Sequence, residues 1–225
     1  MILAVNQLNF QFSKRQVIFN QADLQINQPG IYGLVAPNGS GKTTLFNLIT
    51  HLWHQQSGII LLNQSPNSQQ AVFQNISYCP SIDCLFPQLT GADHLQFIAN
   101  ARQIDVQQTA LISQRLKITP FLPRRVREYS LGMKQRLLLT MSLLPETPII
   151  LLDEPFNGID PTSLRLMRAE LSVLATSRTV LIASHDLTEL ARISRGVYFL
   201  QRQQFTYCEN SDQIDLELKY QELYE

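Results

Sequence analysis

LVAPNGSGKTTL, Leu34 to Leu45, is the stretch on which the reading of this chain turns. It comes within one residue of the phosphate-cradling form G-x-x-x-x-G-K-S/T. Gly41, Lys42 and Thr43 are in place, and Ala36 stands where the opening glycine belongs. Ile31–Val35 just before it is a short apolar run fit for a buried strand, and Lys42–Ile49 after it has the pattern of a helix. A polyphosphate needs several donors converging on it. Gly39 and Gly41 bring backbone N–H groups close by carrying no side chain, and the start of the following helix favours an anion. Lys42 supplies a charge for the β- and γ-phosphate oxygens, and Thr43 a hydroxyl for Mg2+. A methyl group at Ala36 does no harm so long as its φ stays negative.

Outward from the loop, strands and helices alternate. Leu3–Phe12 and Val17–Ile26 show period-two patterning around the polar SKRQ and predict a hairpin. Ile59–Leu62 and Ile76–Tyr78 are further short strands. From Thr90 the pattern is helical: Thr90 and Asp93 form a capping pair, a second helix covers Gln107–Leu116, Pro120 and Pro123 break the run, and Leu131–Leu144 is a long helix. Strand character returns at Ile149–Leu152, Thr179–Ala183, Val197–Leu200 and Gln204–Cys208. Asp160-Pro161 opens one helix, Asp186 with Glu189 resembles a second capping box, and Asp212–Leu223 reads as a closing helix. The expected architecture is an α/β core interrupted by a helical insertion near residues 85–145.

The chain has 225 residues, 44% hydrophobic, enough for one sizeable core. Eighteen basic residues balance eighteen acidic ones, which is unlike the basic stripe of a nucleic-acid binder. Arg124, Arg125 and Arg127 read as a solvated helix start or loop. No apolar run reaches the length of a membrane helix, and the N-terminus reads as a strand without a signal-peptide pattern. Cys79, Cys84 and Cys208 lack metal-site spacing and suit free thiols in a reducing cytosol. His51 and His54 have no acidic or cysteine partner nearby and read as ordinary histidines at a helix end.

Two further segments carry chemistry. PIILLDEP, Pro148–Pro155, is an apolar strand ending in adjacent carboxylates. Strand alternation sends Asp153 and Glu154 in different directions, so one can serve Mg2+ and the other an attacking water. In ASHDL, His185 follows another apolar strand, at a position from which it can reach a bound γ-phosphate.

These segments, in this order, resemble the nucleotide-binding subunit of an ATP-binding cassette (ABC) transporter. APNGSGKTT resembles the family's phosphate loop, YSLGMKQR (Tyr129–Arg136) its signature, LLDEP its acidic strand, NGID (Asn157–Asp160) the loop after it, and SHD its switch histidine. The resemblance implies a P-loop NTPase core, formed by residues 1–84 and 146–225 with an N-terminal antiparallel β subdomain. A helical subdomain, residues 85–145, would carry the signature. It implies ATP and Mg2+ as ligands, with Asn38, Gly39, Ser40, Gly41, Lys42, Thr43 and Thr44 around the phosphates and Phe12 on the adenine. It makes Thr43 and Asp153 the Mg2+ ligands, and Glu154, His185 and Lys42 the groups that carry hydrolysis. Ser130, Gly132 and Met133 would contact nucleotide bound to the opposite subunit of a head-to-tail pair of identical chains. The implied partner is a separate membrane-embedded subunit, with this chain peripheral on the cytoplasmic face.

Three residues depart from the family pattern. Ala36 replaces a glycine at a position where the family tolerates alanine. Leu131 replaces a signature glycine, and Ser-Leu-Gly-Met resembles the subgroup that exports small peptides or antibiotics. Ser81 stands where the family's glutamine reaches Mg2+, the attacking water and the membrane partner; serine is too short for that reach without a bridging water. Ser81–Asp93 would form the docking surface for that partner. Two other readings remain at this stage: a soluble ABC-type ATPase with a non-membrane partner, and a weakly hydrolysing regulatory subunit.

Overall fold

A computed structural model of the chain describes residues 1–210 and 215–224. Strand β1 (Leu3–Ser13) turns into β2 (Gln16–Ile26), the expected hairpin, and β3 (Gly30–Val35) runs into the glycine loop and helix α1 (Lys42–Ile49). Strands β4 (Ser57–Leu62) and β5 (Ser65–Pro66), helix α2 (Gln69–Asn75) and strand β6 (Ile76–Cys79) follow. The helical stretch holds α3 (Gly91–Arg102), α4 (Val106–Arg115) and α5 (Leu131–Leu143). The chain then alternates through β7 (Ile149–Asp153), α6 (Pro161–Leu174), β8 (Thr179–Ala183), α7 (Leu187–Ile193), β9 (Gly196–Gln201), β10 (Gln204–Glu209) and α8 (Leu216–Tyr224).

These elements make two sheets. One is antiparallel, in the order β2-β1-β4-β5; the other has the order β10-β9-β3-β8-β7-β6 and is parallel except for β10 at its edge. The parallel strands are buried on both faces, which is why they read as unbroken apolar runs. Alternation still sorts their side chains. Ile150, Leu152, Val180 and Ile182 pack toward the helical side, and Ile149, Leu151, Leu181 and Ala183 toward the antiparallel sheet. Helix α1 fills the space on that second side with Leu45, Phe46, Leu48 and Ile49. The fold is thus a mixed α/β P-loop architecture with an antiparallel β subdomain and added helices.

Local signals set several helix boundaries. Thr90 and Asp93 form the complete capping box expected, and Asp160 caps α6 through the N–H groups of Thr162 and Ser163, with Pro161 at the first helical position. The second box is only half made. Asp186 accepts from the N–H of Glu189, but the Glu189 carboxylate turns into the protein and pairs with Arg168 of α6 and with Arg192. A buried carboxylate takes the partner that compensates its charge over a local backbone N–H. Helix α2, capped by Ser68, and the short β5 occupy a stretch for which the sequence pattern predicts no element. The closing helix is described from Leu216; the beginning of the expected Asp212–Leu223 span lies outside the described residues. Among the described residues no helix is long and apolar enough to cross a membrane.

Helix α6 gives a direct test of this packing. Leu171 is fully buried in the core while Val173, two residues on, is 61% exposed. Leu171→Ala should lower the unfolding free energy by about 2–5 kcal/mol. Val173→Ala should change it by no more than about 0.5 kcal/mol. Urea titration of the two variants would expose a wrong register for α6 if their losses were equal.

Candidate functional site

Ligands of open α/β sheets settle outside the carboxyl ends of the parallel strands. Here β3 ends in the glycine loop, β7 in Asp153 and Glu154, and β8 in Ser184 and His185. The three ends are neighbours in the sheet, so residues more than a hundred positions apart meet over one edge. Phe12, Asn38, Gly39, Gly41, Lys42, Thr43, Thr44, Asp153 and Glu154 line a cleft of about 360 Å3 there.

The loop is shaped by backbone geometry. Gly39 and Gly41 hold φ of 78° and 120°, a region that favours glycine. A Cβ at Gly39 would meet nothing, whereas one at Gly41 would lie 2.4 Å from the Ile18 side chain. Gly41 is therefore required by packing against β2 as well as by the close approach of a ligand. Ala36 keeps a negative φ, as its methyl group demands, and is buried. Ser40 donates its hydroxyl to the Pro37 carbonyl, 2.7 Å away. Helix α1 begins at Lys42 with no side-chain cap and no acidic residue in its first turn, leaving its first N–H groups free for an anion.

Charged groups crowd the cleft. Lys42 is 7% exposed and gives Nζ to the carbonyls of Ala36 at 2.7 Å and Pro37 at 3.4 Å. Burial pushes its pKa down, against the opposing pull of Glu154 and Asp153. Thr43 donates Oγ1 to Asp153 Oδ2 at 2.7 Å. Burial raises the Asp153 pKa, with the Thr43 hydroxyl and Lys42 acting against the shift and Glu154 adding to it. The hydroxyl and carboxylate are adjacent hard oxygen donors, a set that fits Mg2+ better than a softer metal.

Glu154 lines the same cleft but takes a different partner, and strand alternation is not the reason, because β7 ends at Asp153 and Glu154 lies past it. Its Oε2 lies 2.9 Å from His185 Nδ1. An ionised carboxylate only accepts, so Nδ1 carries the proton in that pair and Nε2 is left for another partner. The Glu154 backbone has φ of 51°, unusual for a residue with a side chain. Its N–H donates to Ala183 at 2.8 Å, and its carbonyl accepts from Asn157 N–H at 3.4 Å and Gln135 Nε2 at 3.5 Å.

Phe12 is half-exposed at the rim and meets Phe10 and Trp53 edge to face, at 5.2 and 5.4 Å. Trp53 was not among the residues expected at the site; its status as the only tryptophan of the chain was the available signal. Ser130, Gly132 and Met133 are not part of this cleft. Ser130 caps α5 by accepting from Met133 N–H at 3.2 Å, and Gly132 is buried against Asp160 and Ser163. Ser81 is exposed, donates to Asp83 at 3.2 Å and does not line the cleft either. His51 and His54 stack edge to face, 4.5 Å apart, beyond α1.

Residues 19–157 match the family model described as ABC transporter. The chain belongs to the ABC transporter ATP-binding family. An uncharacterized ABC transporter ATP-binding protein, YdbJ, of Bacillus subtilis (strain 168) is 30% identical over 206 residues, covering 89% of this chain and 67% of that relative. The lantibiotic transport ATP-binding protein SrtF of Streptococcus pyogenes is 26% identical, covering 88% of this chain and 86% of that relative. A solved ATP-binding subunit of an ABC transporter superposes with a TM-score of 0.89 at 21% identity, each chain wholly covered. As an ABC cassette the chain binds and hydrolyses ATP, and such cassettes work with a membrane subunit.

The raised pKa of Asp153 has a testable sign. The folded protein holds that proton more tightly than the unfolded chain, so stability falls as pH rises from the ordinary carboxylate value through the raised one. Asp153→Asn keeps the acceptor for Thr43 and removes the charge. In the absence of nucleotide the variant should unfold at higher urea than the parent at neutral pH, with the gap closing as pH falls toward about 4. A gap that widened on acidification would contradict the burial argument.

Proposed function

We propose that this chain is the ATP-driven motor of an exporter, acting on a separate membrane subunit from the cytoplasmic face. The transported compound would be a peptide, an antibiotic or lipid-like. The observation that carries the ATPase half of this reading is the convergence of Lys42, Thr43, Asp153 and Glu154 on one cleft. The export half is supported by the Ser-Leu-Gly-Met signature and by the name of the lantibiotic-transport relative. We take residues 1–84 and 146–225 as the nucleotide-binding core and 85–145 as the helical subdomain.

In this reading the N–H groups of Asn38 to Thr44 and the Lys42 ammonium hold the β- and γ-phosphates, displacing the Ala36 and Pro37 carbonyls from Lys42. Phe12 stacks on the adenine, with Trp53 and Phe10 behind it. Thr43 and Asp153 hold Mg2+, which when bound offsets charge on the phosphate oxygens. Glu154 takes a proton from water as the water oxygen bonds to the γ-phosphorus. The bond from that phosphorus to the bridging oxygen breaks, and ADP keeps the oxygen. His185 orients the Glu154 carboxylate through Nδ1 and faces the γ-phosphate. Two chains pair head to tail, so that Ser130, Gly132 and Met133 of one close over the nucleotide of the other, at the start of a helix that favours anions.

Glu154→Gln tests the base. Steady-state phosphate release should fall by about 10²-fold or more while ATP binding persists and an ATP-dependent dimer accumulates on size-exclusion chromatography. Hydrolysis at the parental rate would remove Glu154 from this role. Ser81→Gln tests the departure from the family pattern. A glutamine there restores the reach that serine lacks, and turnover should rise several-fold; an unchanged rate would mean that the water is positioned without help from position 81.

A further inference from the structure

Leu131 has a counterpart elsewhere in the chain. Gly158 has φ of 62°, and a Cβ built there would lie 2.2 Å from Leu131 Cδ2. The leucine methyl occupies the space that a side chain at 158 would need. The next residue of α5 makes a similar approach: a Cβ on Gly132 would come within 2.9 Å of Asp160 Oδ2. One turn further, the buried Gln135 gives its amide to the Glu154 carbonyl at 3.5 Å. Gln135 lies four residues after Leu131 and three after Gly132, spacings that place it beside each on the helix surface. That face of α5 therefore clasps the segment from Glu154 to Asp160 at its beginning, middle and end. The segment needs a clasp, because Glu154 sits in a left-handed backbone conformation that persists only when its surroundings hold it.

We propose that Leu131 is a positioning residue for ATP hydrolysis: by filling the space over Gly158 it fixes the Glu154–Asp160 segment to the signature helix and so sets the orientation of the Glu154 carboxylate. The proposal rests on the reading of Glu154 as the base. Gly158 permits this approach: its φ of 62° favours glycine whatever stands at 131, and the absence of a side chain there leaves room for the Leu131 methyl.

The test uses the full chain with Leu131→Ala and Leu131→Met. It measures steady-state ATPase rates, binding of a fluorescent ATP analogue, and amide hydrogen exchange over residues 154–160. Leu131→Ala should lower kcat by about 10-fold, an effect of ordinary size for groups in contact. Affinity for the analogue should stay within about 2-fold, since an interaction that acts only on the chemical step leaves ground-state binding alone. Exchange of the segment should quicken in Leu131→Ala, and the volume-conserving Leu131→Met should retain parental rates. Unchanged exchange in Leu131→Ala, or analogue affinity falling in step with kcat, would overturn the proposal. Failure of the base assignment is distinguishable: Glu154→Gln would then keep hydrolysing, while hydrogen exchange would still report the Leu131–Gly158 coupling.

Discussion

The hydrogen bond from Thr43 to Asp153 joins residues 110 positions apart and closes the glycine loop against the end of β7. Its energetic setting governs the site. The parallel strands are buried on both faces and mostly apolar, with few polar side chains in their interiors. Function has to collect at the carboxyl ends, where chain leaves the sheet. There the fold gathers one lysine and two carboxylates at close range, with Lys42 and Asp153 buried and Glu154 partly exposed. The burial that raises the Asp153 pKa lowers that of Lys42. Burial disfavours the charges of Lys42 and Asp153, while both carboxylates support Lys42, and Thr43 and Lys42 support Asp153 against Glu154, a condition usual for groups kept for chemistry over stability. Lys42 meanwhile gives its protons to loop carbonyls that a phosphate can replace.

The parts legible in the sequence were those whose causes are local. The acidic strand is visible because both of its faces are buried, and the loop because the Gly-Lys-Thr end admits few other readings. Thr90 and Asp160 mark helix starts because the bonds they make lie within three residues. Legibility failed where the cause lies elsewhere in the chain. Asp186 and Glu189 have capping-box spacing, yet Arg168 of another helix claims the glutamate. Helix α2 buries only Ala71 among its seven residues, so it has no apolar stripe to detect. The same division runs through the site. Lys42, Thr43, Asp153 and Glu154 belong to local motifs, and what their sequence lacked was the strand order that makes them neighbours. Gln135 and Gly158 lie within the signature and the NGID loop, but their contacts with one another's segments exist only once α5 lies along the stretch after Glu154.

That segment joins the two halves of the chemistry. The phosphate binding we propose rests on β3 and α1, elements sunk in the core between the sheets. The carboxylate assigned to hydrolysis sits one residue beyond a strand, on a backbone conformation that costs about 1–3 kcal/mol unless it is held. Its N–H is held by β8, its carbonyl by α5, and its side chain by the histidine that follows β8. Binding and hydrolysis thus depend on different mechanical supports. A disturbance at the start of α5, where a second chain would meet it, can reach Glu154 without passing through Lys42 or Thr43. With the roles we propose, this separation lets a nucleotide be held before it is hydrolysed, because the groups assigned to the phosphates need not move when the carboxylate is brought into line.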